Sequence, residues 1–418
     1  MPPPGERSEL TGPVGRRERE PALDALRGFA LLGILLVNLR LFSGPARLAP
    51  GLGGDQPWWD LLATGAVTVL AEGRFYPLFS FLLGYGFTVA HRRARARGES
   101  YTGRHLRRSA VLFVLGALHA ALLFSGDILS SYAVLGLALL AAVSWRDARL
   151  LTLAAWLFAL GSLVYGGLTG ISAGVGADPS ELARLARDAQ TYANGGFGQV
   201  AALRLRDWGT NLVSLPVTGL TIGAAMLLGH WSARRRLLEG SGDSGDSGVS
   251  GDSRARADLH RRLVVFGLPL GLAGGTVHAL ALSQPRGDGG LAVAWLGASG
   301  VLNHVAAGLL TGAYVGIAGL FFARRAGSGR SPLQAAGQLA LSNYLAQSLV
   351  CSLVFSGYGL GLYGRWGPAR VVVFGLWLWA VQLALSAAYV RAFAFGPVEW
   401  FLRWATYLWR PPLRRRPP

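Results

Sequence analysis

The sequence predicts an all-α fold, a polytopic transmembrane helical bundle of about ten spans with additional interfacial helices. Three observations carry this. Of 418 residues, 51% are hydrophobic and only 15% charged, whereas soluble chains carry about 25% charged residues. The apolar residues lie in blocks close to the roughly 20 residues a bilayer-crossing helix needs. Those blocks lack the polar face that interrupts a soluble helix every few residues. Finally, the arginines gather in clusters between alternate blocks, as the positive-inside rule requires of cytoplasmic loops.

The net charge is +18, and none of the forty basic residues is Lys. A chain without Lys has no Walker A lysine, Schiff base or lysine general base. Charge of this kind, distributed around apolar blocks, reads as membrane topology and not as nucleic-acid binding. One cysteine, Cys351, excludes an internal disulfide, a Cys-ligated zinc site and an iron–sulfur cluster. No HExxH and no His/Asp/Glu cluster appears in the sequence, so no metal is expected.

Residues 1–22 are rich in Pro and charge and are expected to be a disordered cytoplasmic terminus. An N-terminal transmembrane half then runs over 23–233. Its first span, 23–42, reads LDALRGFALLGILLVNL. Asp24 and Arg27 are three apart and share a helical face. They form either a local ion pair or an anion site in which Arg27 forks onto a phosphate or carboxylate. Asn38 lies about 16 Å further along the axis. Residues 58–74 are apolar but short. Reading them as a span would put the Arg92–Arg108 cluster outside, so a surface helix anchored by Trp58 and Trp59 is expected. The span 75–91 follows EGRF; Glu72 and Arg74 are expected to pair at the outer face beside Tyr76.

Segments 108–124 and 128–144 are the next two spans. His119 sits in the apolar run and Asp127 at the break, about 12 Å apart on an unbroken helix. A tight turn at Ser125-Gly126 would return Asp127 toward His119. Asp127 is equally suited to capping the helix after it, and His119 to packing as a buried neutral imidazole. After 149–170, an outer loop, 171–207, has the spacing of short amphipathic helices and charges that cancel. The span 210–230 closes this half.

Residues 234–260 contain EGSGDSGDSGVSGDS, a Gly/Ser/Asp composition expected of a flexible cytoplasmic linker. The C-terminal transmembrane half, 261–393, holds spans 262–283, 297–322, 337–357 and 369–391. His278 and His304 lie within it, without a nearby acid in sequence. His91, His105, His230 and His260 fall at inner boundaries and are expected to be solvated. In GQLALSNYLAQS, Asn343 and Gln347 are four apart and face the same way. They serve either as a polar joint between helices or as the lining of a ligand cavity. The tail 394–418, with Trp400, Trp404 and Trp409 beside arginines, reads as a basic helix on the inner surface. In this arrangement both termini are cytoplasmic, with 29 arginines inside, ten outside and Arg27 at the inner edge.

The stretches ALDALRGFALLGILLVNL, EGRFYPLFSFLLGYGF, LHAALLFSGDILSSYAVLG, GQLALSNYLAQS and GPVEWFLRWATY resemble the YeiB-like family of bacterial multi-span membrane proteins. The C-terminal half of that family is a domain of unknown function. The resemblance implies a protein of the bacterial inner membrane. The first span is also similar, more distantly, to transmembrane acyltransferases of the heparan-alpha-glucosaminide N-acetyltransferase type, through LDxxRG and Asn38. Those enzymes carry a histidine shortly after the asparagine, and residues 39–57 here contain none.

The acyltransferase resemblance implies transfer of an acyl group from a cytoplasmic acyl-CoA, acting as substrate and not as a resident cofactor, to a lipid or sugar acceptor at or across the membrane. Arg27 and its basic neighbours would hold the donor phosphates. His119 would take the acceptor proton, Asp127 would orient the ring, and Asn38 would donate to the developing oxyanion. Asp24, Arg74, Tyr76, Asn343 and Gln347 are the further candidates for substrate contact. Apart from such substrates, membrane lipids are the expected partners. The alternative is a transporter or lipid flippase without covalent chemistry, consistent with two halves and glycine-rich spans.

Overall fold

A computed structural model describes residues 20–44, 57–174, 178–239, 250–284, 290–323 and 331–414. Residues 1–19 of the expected N-terminal segment, 240–249 of the expected linker and 415–418 of the tail lie outside the described residues. Regular structure among the described residues is helical, apart from one bridge between Phe393 and Arg414. In chain order the helices are α1 (Pro21–Ser43), α2 (Trp58–Leu70), α3 (Phe75–Ala96), α4 (Thr102–Leu122) and α5 (Leu129–Ala142), then α6 (Asp147–Gly174), α7 (Pro179–Asn194), α8 (Phe197–Val213) and α9 (Leu215–Arg234). There follow α10 (Ser250–Ser283), α11 (Gly290–Ala323), α12 (Pro332–Gln338), α13 (Ala340–Phe355), α14 (Pro368–Ala392) and α15 (Pro397–Tyr407).

The molecule is a multi-pass membrane protein. Among the described residues, six helical stretches are long and apolar enough to cross a bilayer: α1, α2 with α3, α6, α10, α11 and α14. The number rises to eight if two bent pairs each count as one span, α8 with α9 (65°) and α12 with α13 (87°). The remaining expected spans are α4 and α5. The first turns of α4 carry Arg104, Arg107 and Arg108, and α5 has only 14 residues. They pack on each other as a hairpin.

One expectation is extended and one corrected here. Residues 58–70 form a helix with Trp58 and Trp59 exposed. They run into α3 across a break at 71–74, and together the two make a single apolar stretch of 39 residues. The linker is shorter than expected, because α10 already begins at Ser250. RARADLHRRL consists mostly of good helix formers and continues directly into the apolar run. Its Arg256 donates to the Arg236 and Glu239 carbonyls just past the end of α9, at 3.2 and 3.3 Å. The expected outer loop does form two amphipathic helices. Asp178 caps the first by accepting from the Ser180 N–H at 2.8 Å, which holds its carboxyl below the ordinary value.

Close crossings at glycine fix the frame. A Cβ added at Gly84 of α3 would lie 2.0 Å from the Met226 carbonyl oxygen of α9, and one at Gly229 of α9 would lie 2.0 Å from the Phe81 carbonyl oxygen of α3. Gly28 of α1 and Gly337 of α12 make the same reciprocal contact, against the Leu333 and Asp24 carbonyls. In lipid, where apolar surface gives little drive to associate, such backbone approach is what holds helices together. Between these crossings α1 packs on α12, α13 and α14, and α6 packs on α11, so helices early and late in the chain share one interior.

The sharp turn between α12 and α13 exposes the backbone N–H groups that begin α13. Glu399 of α15 accepts from those of Leu341 (2.7 Å) and Ser342 (3.0 Å). A carboxylate there matches both the unpaired donors and the positive end of the helix dipole.

Two outcomes follow. Gly84→Ala forces α3 off α9 and lowers the unfolding midpoint of the detergent-solubilised protein, with a cost on the order of 1–3 kcal/mol for overpacking; an unchanged midpoint contradicts the crossing. Glu399→Ala leaves buried donors unpaired, at about 1–3 kcal/mol, while Glu399→Gln retains one acceptor oxygen and loses less.

Candidate functional site

The last turn of α3 and the first turns of α4 meet across the Arg97–Tyr101 connection, so their arginines converge. Arg93, Arg97, Arg104 and Arg108, with Arg27 of α1 and Arg403 of α15, line one cavity of about 380 Å3. The carboxylates lining it are Glu20, Asp24 and Glu399, so the arginines outnumber them. Arg27 holds Asp24 at 3.1 Å, and Arg104 pairs with Glu99. Burial raises the Tyr101 phenol above its ordinary value, which leaves it a hydrogen-bond donor at the mouth. Deeper in, the walls turn apolar: Leu31, Phe79, Leu83, Leu129 and Met226. A volume of this size with charge at one end suits a small amphiphile.

The floor is Tyr344 of α13 together with Ile128 and Leu129. The Tyr344 ring stands 4.9 Å from that of His119. Its hydroxyl faces the Ile128 backbone without a well-formed hydrogen bond. Behind it lies a fully buried polar chain. His119 Nδ1 is 2.9 Å from Asp127 Oδ1, and His119 Nε2 is 2.8 Å from Ser348 Oγ. The side chains of His119 and Asp127 are 1% and 0% exposed. Asp127 Oδ2 accepts from the Ser130 N–H (2.8 Å) and O–H (2.7 Å). Asp127 thus serves both of the roles open to it, one oxygen on the start of α5 and the other on the imidazole.

Local sequence explains the arrangement. The helix α4 ends with both Leu123 and Phe124 N–H on the His119 carbonyl, and the Ser125-Gly126 turn reverses the chain. Gly116, three residues before His119, leaves room for the return. A Cβ there would meet Asp127 Oδ2 at 2.6 Å and the Ser130 nitrogen at 2.5 Å.

The sequence did not single out Ser348, nor the residues by which the 171–207 segment, readable either as a cover or as an interfacial helix pair, reaches this site. The amphipathic helix α8 reaches in with Arg204 and Trp208, which are four apart and share a face. Trp208 Nε1 donates to Ser130 Oγ at 3.2 Å. Arg204, 2% exposed, donates to the Leu122 carbonyl (2.8 Å), the Tyr358 hydroxyl (2.9 Å), Ser352 Oγ (2.9 Å) and Ser356 Oγ (3.1 Å). All of these acceptors are neutral. The available signal was the i, i+4 pair of Arg and Trp within QVAALRLRDW.

The other candidates fall elsewhere. Asn38 is half-buried and makes no side-chain hydrogen bond with His119, Asp127 or Ser348; its neighbours Leu35 and Leu39 pack in the cluster containing Phe124 and Cys351. Arg74 does not pair with the Glu72 carboxylate as expected. That carboxylate takes Arg40 at 2.7 Å, while the buried Arg74 guanidinium donates to the Glu72 carbonyl and to Asn303 Oδ1 at 2.8 Å. The Tyr76 carbonyl accepts from the cavity residue Tyr132 at 3.0 Å. Asn343 donates to Ser386 and Gln347 to Gln382, joining α13 to α14; neither lines the cavity. His105, His230 and His260 are buried, not solvated. His105 Nε2 is 2.9 Å from the Gly136 carbonyl, and His230 Nδ1 is 2.6 Å from Thr88 Oγ1. His304 contacts Thr221 and His278 contacts Ser299, each at 3.0 Å.

Residues 244–409 match the family model described as protein of unknown function DUF418. The chain is 31% identical over 425 aligned residues to the uncharacterized protein YxaH of Bacillus subtilis, covering 96% of this chain and 97% of that protein. It is 28% identical to the uncharacterized protein YeiB of Escherichia coli, covering 93% and 96%. No solved structure matches. With near-complete coverage of both relatives and the C-terminal domain in place, the chain belongs to the YeiB-like family of DUF418 membrane proteins.

Proposed function

We propose that this protein transfers an acyl group from a phosphate-bearing thioester such as acyl-CoA to a lipid or sugar acceptor at the membrane. The observation that carries the reading is one cavity with an arginine mouth whose floor, Tyr344, contacts the ring of a His–Asp pair. Guanidinium groups bind phosphate through paired N–H donors, and the apolar depth takes the acyl portion.

Asp127 accepts the Nδ1–H of His119, which leaves the Nε2 lone pair free to act as a base. In the structure Nε2 faces the Ser348 hydroxyl, so an acceptor hydroxyl placed there takes the same bond. Nε2 removes its proton as the oxygen attacks the thioester carbon. The new C–O bond forms, the C–S bond breaks, and the imidazolium returns the proton to the departing thiolate. Asn38, which does not line the cavity and makes no bond to the relay, is not assigned the expected oxyanion role. In this reading the protein sits in the bacterial cytoplasmic membrane, with both termini and the arginine mouth toward the cytoplasm and α7 and α8 on the far side.

A second reading, transport or lipid flipping, draws on the 87° break between α12 and α13, because broken helices build many transporter sites. Flux of a phosphate-bearing amphiphile in proteoliposomes with no release of CoA thiol would select it.

Acyl-CoA is expected to raise the unfolding midpoint of the purified protein, and the pair Arg104→Glu with Arg108→Glu to abolish that shift. His119→Ala should lower CoA release in the presence of membrane lipid extract by roughly 100-fold or more while keeping the shift. Absence of any acyl-CoA effect on the unaltered protein rejects the reading. For orientation, Ser100→Cys in a Cys351→Ala background should react with impermeant maleimide only after cells are opened, and Gln190→Cys in intact spheroplasts. The reverse pattern overturns the topology.

A further inference from the structure

We propose that Ser348 is a nucleophile that carries the acyl group as a covalent oxygen ester between donor and acceptor. The inference rests on the acyl-transfer reading and deepens it from direct transfer to transfer in two steps.

Two observations single out Ser348, although Thr221 also turns its hydroxyl onto an imidazole, that of His304, whose ring has no carboxylate partner like Asp127 among the described residues. The first is how its hydroxyl is used. Serine and threonine inside a helix ordinarily donate back to the carbonyl four residues earlier. Ser80, Thr88, Ser162, Thr169 and Thr311 all do so here, on Tyr76, Gly84, Phe158, Tyr165 and Ala307. Ser348 makes no such bond; its hydroxyl is turned onto His119 Nε2 at 2.8 Å. With Asp127 accepting on Nδ1 at 2.9 Å, the three side chains form a relay of nucleophile, base and orienting carboxylate within the distances such chemistry uses.

The second observation is where Ser348 stands on α13. Leu341, Tyr344 and Ser348 are spaced by three and four residues, so they share one helix face. Leu341 and Tyr344 line the cavity, and Ser348 is the next position inward. One turn beyond it, Ser352 accepts from Arg204 on the opposite side of the relay. A single stripe of α13 therefore runs from the arginine-lined cavity, through the Tyr344 ring that closes its floor, past Ser348, to α8. Both ends of that stripe are closed in the structure, by the Tyr344 ring and by Arg204, so one of them must yield for a substrate to reach Ser348; an acyl group held there lets donor and acceptor bind in turn.

The chemistry balances without an added reagent. In the first step Ser348 Oγ gives its proton to His119 Nε2 and attacks the thioester carbon. The Oγ–C bond forms, the C–S bond breaks, and the proton passes to the leaving thiolate. In the second step an acceptor hydroxyl gives its proton to Nε2 and attacks the ester carbon. The Oγ–C bond breaks and Ser348 recovers the proton.

The test is to mix the purified full-length protein with acetyl-CoA or palmitoyl-CoA in the absence of acceptor, quench, and map the adduct by mass spectrometry. The expected result is one acyl group on the peptide containing Ser348, alkali-labile but stable to neutral hydroxylamine, with matching release of CoA thiol. Ser348→Ala should lose the adduct and lower transfer to acceptor by roughly 100-fold or more. In a Cys351→Ala background, Ser348→Cys should form an adduct that neutral hydroxylamine removes and that His119→Ala abolishes, a dependence that spontaneous thiol exchange does not show. Should Ser348→Ala fail to fold, the Ser348→Cys result decides alone. Steady transfer to acceptor with no adduct overturns the nucleophile and leaves acyl transfer standing. Absence of both thiol release and stabilisation by either acyl-CoA overturns the nucleophile and the acyl-transfer reading together.

Discussion

A carboxylate removed from water inside an apolar bundle has to be saturated by donors, and Asp127 is. It takes three hydrogen bonds, from His119 Nδ1, the Ser130 backbone and the Ser130 hydroxyl. Burying such a group with fewer partners would cost several kcal/mol. That requirement dictates much of what surrounds it. The α4–α5 hairpin must close tightly enough for Asp127 to reach back eight residues, and Gly116 must stay bare for it to do so. The imidazole is fixed in one plane and one tautomer, which aims Nε2 at α13. Ser130 in turn receives Trp208, so α8 is drawn onto the same point.

The frame leaves space where this chain needs it. Contacts at Gly84 and Gly229, and at Gly28 and Gly337, bring α3 onto α9 and α1 onto α12 at backbone distance. Helices this close leave no room between their own pairs. The void opens mainly among α1, α3, α4, α5, α13 and α15, with Met226 of α9 and Gly337 and Gln338 of α12 also lining it. Glu399 contributes on both counts, since it holds the start of α13 and also lines the cavity. The position of the Ser348 stripe is therefore tied to the wall of the charged mouth.

How much of this was legible depended on how local each cause is. Apolar blocks and arginine clusters are short-range patterns, so the helical bundle was readable. The fold-back of Asp127 onto His119 was readable because the turn residues and both partners lie within nine positions. Ser348 lies 229 residues from His119, and no local pattern links them. Arg204 was hidden by its setting: a loop whose charges cancel gives no hint that one guanidinium leaves the surface for the serines of α13. His105, His230 and His260 were misread because arginines flank them; in the fold the imidazoles are buried while the arginines turn to the surface or to the cavity mouth. Glu72 and Arg74 misled through proximity, since Arg40, distant in sequence, reaches the carboxylate first.

The separation of charge from chemistry along the cavity follows from solvation. Phosphates are costly to dehydrate, so a site that binds them by charge belongs where water remains; the Arg27 side chain, 31% exposed, is such a group. The relay, in contrast, is dry. There a single hydrogen bond is electrostatically stronger than in water. Under the proposed reaction, a donor anchored by its phosphates at the mouth would present its thioester toward the floor by length alone, without any charged group entering the apolar region. Tyr344, apolar in its ring and polar at its tip, is the kind of side chain that can close such a boundary. Placing the binding charge at one end of α13's stripe and the base further in allows both to occupy one narrow bundle without neutralising each other.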